Sequence, residues 1–253
     1  MNKESNTYTI LYAAIMVVIV ALVLAFASQA LKAPQQANEK IDKMEQILRS
    51  VNITANNKKA VAETYKSVIQ KEVLISSSTG EIHEEFTGDQ IAENTAFSMS
   101  VKNPLKSVRQ GNDEKLPLFV ANIDGKTIYI VPLFGSGLWG DIWGYLGIDE
   151  SLRVVGADFG HAGETPGLGA EIVTPKFRDQ FKDMFIGNVE TGIIPIAVVK
   201  AGHANAKNNE VDGVTGGTLT SNGVNDMLRD CIKAYAEFFQ KVLDQQSMSS
   251  TKV

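Results

Sequence analysis

From Ile10 to Ala27 every residue is apolar. Extended back to Tyr8, the stretch has one polar position, Thr9. As a helix rising 1.5 Å per residue, twenty residues span about 30 Å, the hydrocarbon thickness of a bilayer. A cleavable signal peptide is the competing reading, because Ala25-Phe26-Ala27 has the small-x-small form of a cleavage site. Its apolar core would be about 7–15 residues long behind a basic start. Here the run is longer and Lys3 is offset by Glu4. The pattern predicts a retained transmembrane anchor over residues 1–31, in contact with the lipid bilayer.

Beyond the anchor the periodicity changes. Ala33-Pro34-Gln35-Gln36 reads as a short linker, since proline disfavours helix at the residue before it. Ile41, Met44, Ile47, Leu48 and Val51 recur at helical spacing, as do Val61, Tyr65, Val68 and Ile69. Residues 32–72 therefore read as a helical linker region. Val73 to Ile82 predicts strand and turn, with Thr79-Gly80 at the turn. Leu118 to Ile123 and Lys126 to Val131 are β-rich runs joined by Asp124-Gly125, a strong hairpin signal. Glycine-rich segments holding aromatics follow at Gly135 to Gly140 and Trp143-Gly144-Tyr145. A further strand is expected over Leu152 to Phe159, a helix over Phe177 to Phe185 and a buried strand over Ile193 to Val199. Val224, Met227, Leu228, Cys231, Ile232, Tyr235, Phe238, Phe239 and Val242 keep a helical period for about five turns. Residues 73–245 thus read as one domain and 246–253 as a frayed tail. Helices flanking hairpin-joined strands predict the α+β class, an antiparallel sheet with flanking helices.

Composition narrows the function classes. Without the anchor the apolar share is roughly 40 %, that of a water-soluble domain. The net charge is −5, and residues 1–31 contribute only Lys3 and Glu4 to it. A nucleic-acid partner is not expected, because binding one normally needs a basic face. Charge leaves the membrane orientation open: Lys3 and the amino terminus stand on one side, Lys32, Lys40 and Lys43 on the other, and long domains translocate largely regardless of such charges. A single cysteine excludes an intramolecular disulfide framework and a cysteine-built zinc site. His83, His161 and His203 share no ligand spacing, so no metal site is expected. No Gly-x-Ser-x-Gly elbow is present, and no Gly-x-Gly-x-x-Gly stands directly after a predicted strand. Cys231 lies on the apolar face of the last helix and reads as a small core residue.

Two segments carry candidate chemistry. Asp212-Gly213-Val214-Thr215-Gly216-Gly217-Thr218-Leu219-Thr220-Ser221-Asn222 sets adjacent glycines and four hydroxyls directly before the last helix. Glycines let backbone N–H groups approach a ligand, and a helix start offers unpaired N–H groups and a positive dipole end. These features suit a phosphate cradle. They equally suit a glycine turn with Thr220 or Ser221 as N-cap. No lysine follows the glycines, so it is not a Walker A loop. The second segment, His161 to Gly169, puts Glu164 and Thr165 beside an exposed Leu168, with Pro166-Gly167 as the turn. Polar groups beside an apolar tip could face one side of a flat ring, although ordinary turns look much the same.

Asp212-Gly213-Val214-Thr215-Gly216-Gly217-Thr218 resembles the flavinylation motif Asp-x-x-Ser/Thr-Gly-Ala/Gly-Ser/Thr of the covalent FMN-binding domain family. Glu164-Thr165-Pro166-Gly167-Leu168-Gly169 resembles that family's second signature. Gly137-Leu138-Trp139 with Gly144-Tyr145 is more similar to the C subunits of sodium-translocating NADH:quinone reductases than to the G subunits of Rnf electron-transport complexes. The resemblance implies FMN held covalently by a phosphoester to Thr218, attached by a dedicated FAD-dependent flavin transferase. It implies a redox subunit in electron transfer from NADH to quinone coupled to sodium export, with the other subunits (A, B, D, E and F types) as partners. It implies a bacterial inner-membrane location with the large domain on the periplasmic side. Trp139 and Leu168 become candidate ring contacts, and Glu164, Thr165, Gly167, Gly169 and Thr220 candidate cofactor-binding residues. Asp212 and Thr215 would shape the motif loop or be read by the transferase. Gly217 stands where alanine is commoner and is expected to be tolerated. An Rnf-type G subunit, or a membrane-anchored scaffold domain without flavin, remains as an alternative.

Overall fold

The computed structural model describes residues 6–188 and 192–250. Helix α1, Asn6–Arg49, opens the chain and contains the apolar run. It is long and apolar enough to cross a membrane. It also continues through Pro34, where a linker is expected from the sequence. Proline removes one backbone N–H donor, and the surrounding Ala, Leu, Lys and Gln residues are good helix formers.

Met44 to the C-terminus forms one compact unit, and the chain up to Lys43 forms another. The boundary therefore falls inside α1 rather than at residues 31 or 72. The reason is burial: Met44, Ile47, Leu48 and Val51, then Val61 and Tyr65 of α2 (Lys58–Val68), lie in the core. Gln46 Oε1 accepts a hydrogen bond from Trp143 Nε1 at 2.8 Å. Arg49 donates to both oxygens of Asp158, at 3.1 and 3.0 Å, and Arg178 binds the same carboxylate.

The core is a six-stranded antiparallel sheet. Its strands are β1 (Ile69–Ser76), β2 (Ile82–Thr87), β3 (Lys115–Ile123), β4 (Lys126–Ser136), β5 (Asp141–Asp149) and β6 (Val154–His161). They lie in the order β2-β1-β3-β4-β5-β6. Short helices α3 (Thr95–Ser98) and α4 (Lys102–Arg109) fall between β2 and β3. The Asp124-Gly125 turn has positive φ at both residues, 52° and 79°, as a type I′ hairpin requires. The glycine-rich aromatic stretch is β4, a turn and β5. Gly135, Gly137 and Gly140 do have dinucleotide spacing, but Gly135 is still within β4 and the chain enters β5 after Gly140, not a helix. Glycine is required in this region by close packing: a Cβ at Gly144 would stand 2.5 Å from the Asp158 carbonyl oxygen.

After β6, Phe177 packs edge-on against Phe159 and Phe181, and Phe181 lies tilted against Phe159. The helix expected over Phe177 to Phe185 is only α5 (Pro175–Arg178) and a 3-10 turn at Asp179–Phe181. The expected strand over Ile193 to Val199 is divided into β8 (Gly192–Ile193), which pairs with β7 (Gly187–Asn188), and β9 (Ala197–Val199), which pairs parallel with β10 (Glu210–Asp212). Pro195 between them has no N–H to give a ladder. The last helical run is two helices, α6 (Thr218–Ala234) and α7 (Ala236–Ser250), interrupted at Tyr235. Tyr235 is fully buried and its hydroxyl donates to the Pro117 carbonyl at 2.7 Å. Helix α7 runs past Gln245, where the sequence predicts a frayed tail; residues 251–253 lie outside the described residues. Helix α6 lies along β4, with Val224, Met227, Leu228 and Cys231 in the core. Burial pushes the Cys231 thiol up to about 12, so it is an inert core group at neutral pH.

Candidate functional site

Three segments meet at the start of α6. The first is the turn between β4 and β5, closed by the Gly137 N–H on the Gly140 carbonyl at 2.7 Å. The second is the loop after β6, where Leu168 and Ala170 N–H groups both donate to the Thr165 carbonyl at 3.1 Å. Gly167 there has φ +75°, a conformation that favours glycine, and its N–H donates to Glu171 Oε1. The third is the Asp212–Thr218 loop. Gly217 occupies the N-cap position and Thr218 is the first helical residue, so neither Thr220 nor Ser221 is the cap. Ser221 Oγ instead accepts the Val214 N–H at 2.9 Å, which holds the loop against its helix.

The first turn-closing bond of α6 is Ser221 N–H to Gly217 carbonyl, 2.8 Å. The N–H groups of Thr218, Leu219 and Thr220 precede it and have no intrahelical acceptor. Thr218 itself is exposed. Beside it lies a cleft of about 320 Å³. Leu138, Trp139, Leu168 and Leu219 line it, and each is 43 % exposed or more. Exposed large apolar groups gathered around one cleft mark a surface that something apolar covers.

The structure brings Trp139, Glu164, Thr165, Leu168, Gly169, Gly216, Gly217, Thr218 and Thr220 together around this cleft. Asp212, Gly213, Thr215 and Gly167 line a separate cleft of about 590 Å³. Asp212 is absorbed by the fold: its Oδ1 accepts the N–H groups of Ala204 (2.9 Å) and His203 (3.0 Å). Those backbone bonds hold its carboxyl below the usual range, so it is ionised. Gly213 packs against Ser221, and a Cβ there would lie 2.9 Å from Ser221 Cβ. Gly216 has φ +77°. Thr215 is exposed. Glu164 and Thr220 are buried and bonded to each other through Thr220 Oγ1 and Glu164 Oε2. His161 Nδ1 accepts the Glu164 N–H at 3.2 Å, a loop-closing contact. Among the described residues no cluster of three metal-ligating side chains exists. Sequence reasoning misses Leu138 and Leu219 as wall residues; their signal is an apolar residue beside glycine in a turn (Leu138) or between hydroxyls in the first turn of a helix (Leu219).

Residues 137–233 match the FMN-binding domain family. The chain is 32 % identical over 219 residues to the C subunit of the Na(+)-translocating NADH-quinone reductase of Vibrio parahaemolyticus, covering 81 % of this chain and 82 % of the relative. The chain belongs to that family of C subunits. The corresponding protein of Haemophilus ducreyi is 29 % identical, covering 90 % of each chain. Among solved structures, the C subunit from Parabacteroides distasonis is 38 % identical with a TM-score of 0.69, covering 83 % of this chain and 96 % of that one. As a C-subunit family member with an FMN-binding domain, the chain is a flavoprotein, and both candidate segments and the whole of the cleft lie within the matched residues.

The residues present fit FMN. An exposed hydroxyl at a helix start provides an attachment atom, three backbone N–H groups and the helix dipole favour a phosphate there, and the leucines and Trp139 supply walls for a flat apolar ring.

Proposed function

We propose that this chain carries FMN covalently on Thr218 and relays electrons within a membrane-bound, sodium-translocating NADH:quinone reductase. The exposed Thr218 hydroxyl at the first position of α6, beside an apolar-walled cleft, carries this reading. Attachment by a flavin transferase forms a bond from Thr218 Oγ1 to the FMN phosphorus. It breaks the phosphoanhydride of FAD, releases AMP, and passes the hydroxyl proton to the transferase's base. Bound FMN supplies the electron-accepting ring. The chain's residues attach it, bind its phosphate at the start of α6, and exclude water from its faces with Trp139, Leu138, Leu168 and Leu219. The apolar part of α1 carries no charged side chain from Tyr8 to Leu31, so that segment offers no charged site for an ion. In this reading sodium movement and the NADH and quinone sites are assigned to partner subunits. Helix α1 anchors the domain in the bacterial inner membrane, with the flavin domain on the periplasmic side.

The test is direct. The full chain is produced together with a flavin transferase, denatured and run on a gel. Fluorescence is expected in wild type and absent in Thr218→Ala. Thr218→Ser keeps label if only the hydroxyl is needed. Label that persists in Thr218→Ala sinks the assignment, and a wild type without label favours a non-redox scaffold.

A further inference from the structure

Glu164 is only 4 % exposed, a carboxylate inside the wall of the Thr218 cleft. Both its oxygens have partners in the protein. Oε1 accepts the Trp139 N–H at 2.8 Å. Oε2 accepts the Thr220 hydroxyl, which uses that hydroxyl's single hydrogen. Two glycines close over the carboxylate: a Cβ at Gly137 would collide with Oε1, and one at Gly169 would collide with Oε2 and with Thr220 Oγ1. One side chain thus joins the β4–β5 turn, the loop after β6 and the first turn of α6, the three segments whose apolar residues form the cleft walls.

Resting on the flavin reading above, we infer that Glu164 is a positioning residue, which fixes the cleft walls before the flavin arrives and does not itself contact the ring. Removing the acceptor leaves the buried Thr220 hydroxyl and the part-buried Trp139 N–H without their partner. The walls then lose their fixed spacing, and Trp139 is released from the ring face. Thr218 remains exposed and remains an acceptor for the transferase.

The experiment uses the full chain, made with and without a flavin transferase, as wild type, Glu164→Ala, Glu164→Gln and Thr220→Val. One readout is native flavin emission per covalent label, which a tryptophan on the ring quenches. The other is hydrogen exchange at the Trp139 amide in protein made without flavin. Glu164→Ala is expected to be about twofold brighter or more, with Trp139 exchange roughly tenfold faster or more. Glu164→Gln stays near wild type in both, because its carbonyl accepts the Trp139 N–H and its NH₂ donates to Thr220 Oγ1. Thr220→Val lies between. Unchanged emission and exchange in Glu164→Ala overturn the inference. So does a shifted flavin absorption band or midpoint potential in Glu164→Gln at unchanged emission, since the carboxylate would then touch the ring. If Glu164→Ala does not fold, wild-type values of both readouts in Thr220→Val overturn it. A wild type without label refutes the Thr218 reading and the flavin role together. Exchange at Trp139 in the flavin-free protein tells that failure from a failure of the Glu164 contacts.

Discussion

The Cδ2 methyl of Leu168 lies against Gly216 so closely that a Cβ there would stand 2.7 Å from it. Gly216 also has φ +77°. Gly216→Ala meets both a left-handed backbone, costing about 1–2 kcal/mol, and a displaced cleft leucine. The expected result is a lower thermal midpoint and reduced flavin label. Differential scanning calorimetry and in-gel fluorescence measure the two. A variant with wild-type midpoint and label would show that the loop relaxes at no cost.

Gly217→Ala should behave differently. Its φ is −104°, open to any residue, and the new Cβ would meet Val214 Cβ at 3.2 Å and Gly169 Cα at 3.3 Å. Shifts of a few tenths of an ångström absorb these contacts. Stability is expected to change by less than about 1 kcal/mol, with full label. Denaturant titration of the flavin-free protein checks the first and gel fluorescence the second.

Asp158 sits between two arginines from distant parts of the chain, Arg49 at the end of α1 and Arg178 of α5. Its side chain is 1 % exposed. Asp158→Ala leaves both guanidinium groups facing a buried gap, and a loss of about 3 kcal/mol is expected. Arg49→Met and Arg178→Met, each alone, should cost less, because the carboxylate keeps one partner. Equal stability of all three variants to the wild type in urea would contradict this.

Asp113 holds the turn after β1. It accepts from Ser76 Oγ at 2.8 Å, from the Ser78 N–H at 3.0 Å and from Ser77 Oγ at 3.2 Å. These bonds hold its carboxyl down at about 2. A depressed folded-state value means stabilisation that is present above the unfolded value of about 3.9 and is lost as pH falls through about 2. Asp113→Ala is therefore expected to be less stable than wild type at pH 5 to 7, with the difference shrinking between pH 4 and pH 2. Urea midpoints across that range test it, and a difference independent of pH would rule out the carboxylate as the cause.

Much of the architecture is legible in the sequence because it follows local rules. Asp124-Gly125 announces its hairpin, and the apolar period of α6 and α7 announces the face that covers the sheet. What is illegible depends on contacts far along the chain. Pro34 looks like a break because its neighbours' helical strength is not a local motif. Gly144 looks like loop material, yet it is a strand residue whose missing side chain makes room for Asp158 and Phe159. In the Asp212–Thr218 segment, Thr218 is an exposed hydroxyl at the start of α6. The segment's sequence does not reveal that Asp212 serves the turn at Gly202–Ala204, or that Glu164 and Thr220 face each other. Those pairings join residues 8 and 56 positions apart, and neither leaves a periodic trace.

The end of the first helix belongs to the sheet's core. A fragment made water-soluble by cutting away the apolar run therefore has a narrow window for its new start. Starting after Leu31 and before Met44 removes the run and keeps Met44, Ile47, Leu48 and Arg49. Starting at Val73, where strand pattern alone would draw an independent domain, removes both Tyr65 and its 2.6 Å partner Glu72, leaves the Ala92 N–H without the Glu72 acceptor and leaves Asp158 without Arg49. Such a fragment is expected to aggregate, for reasons that have nothing to do with flavin.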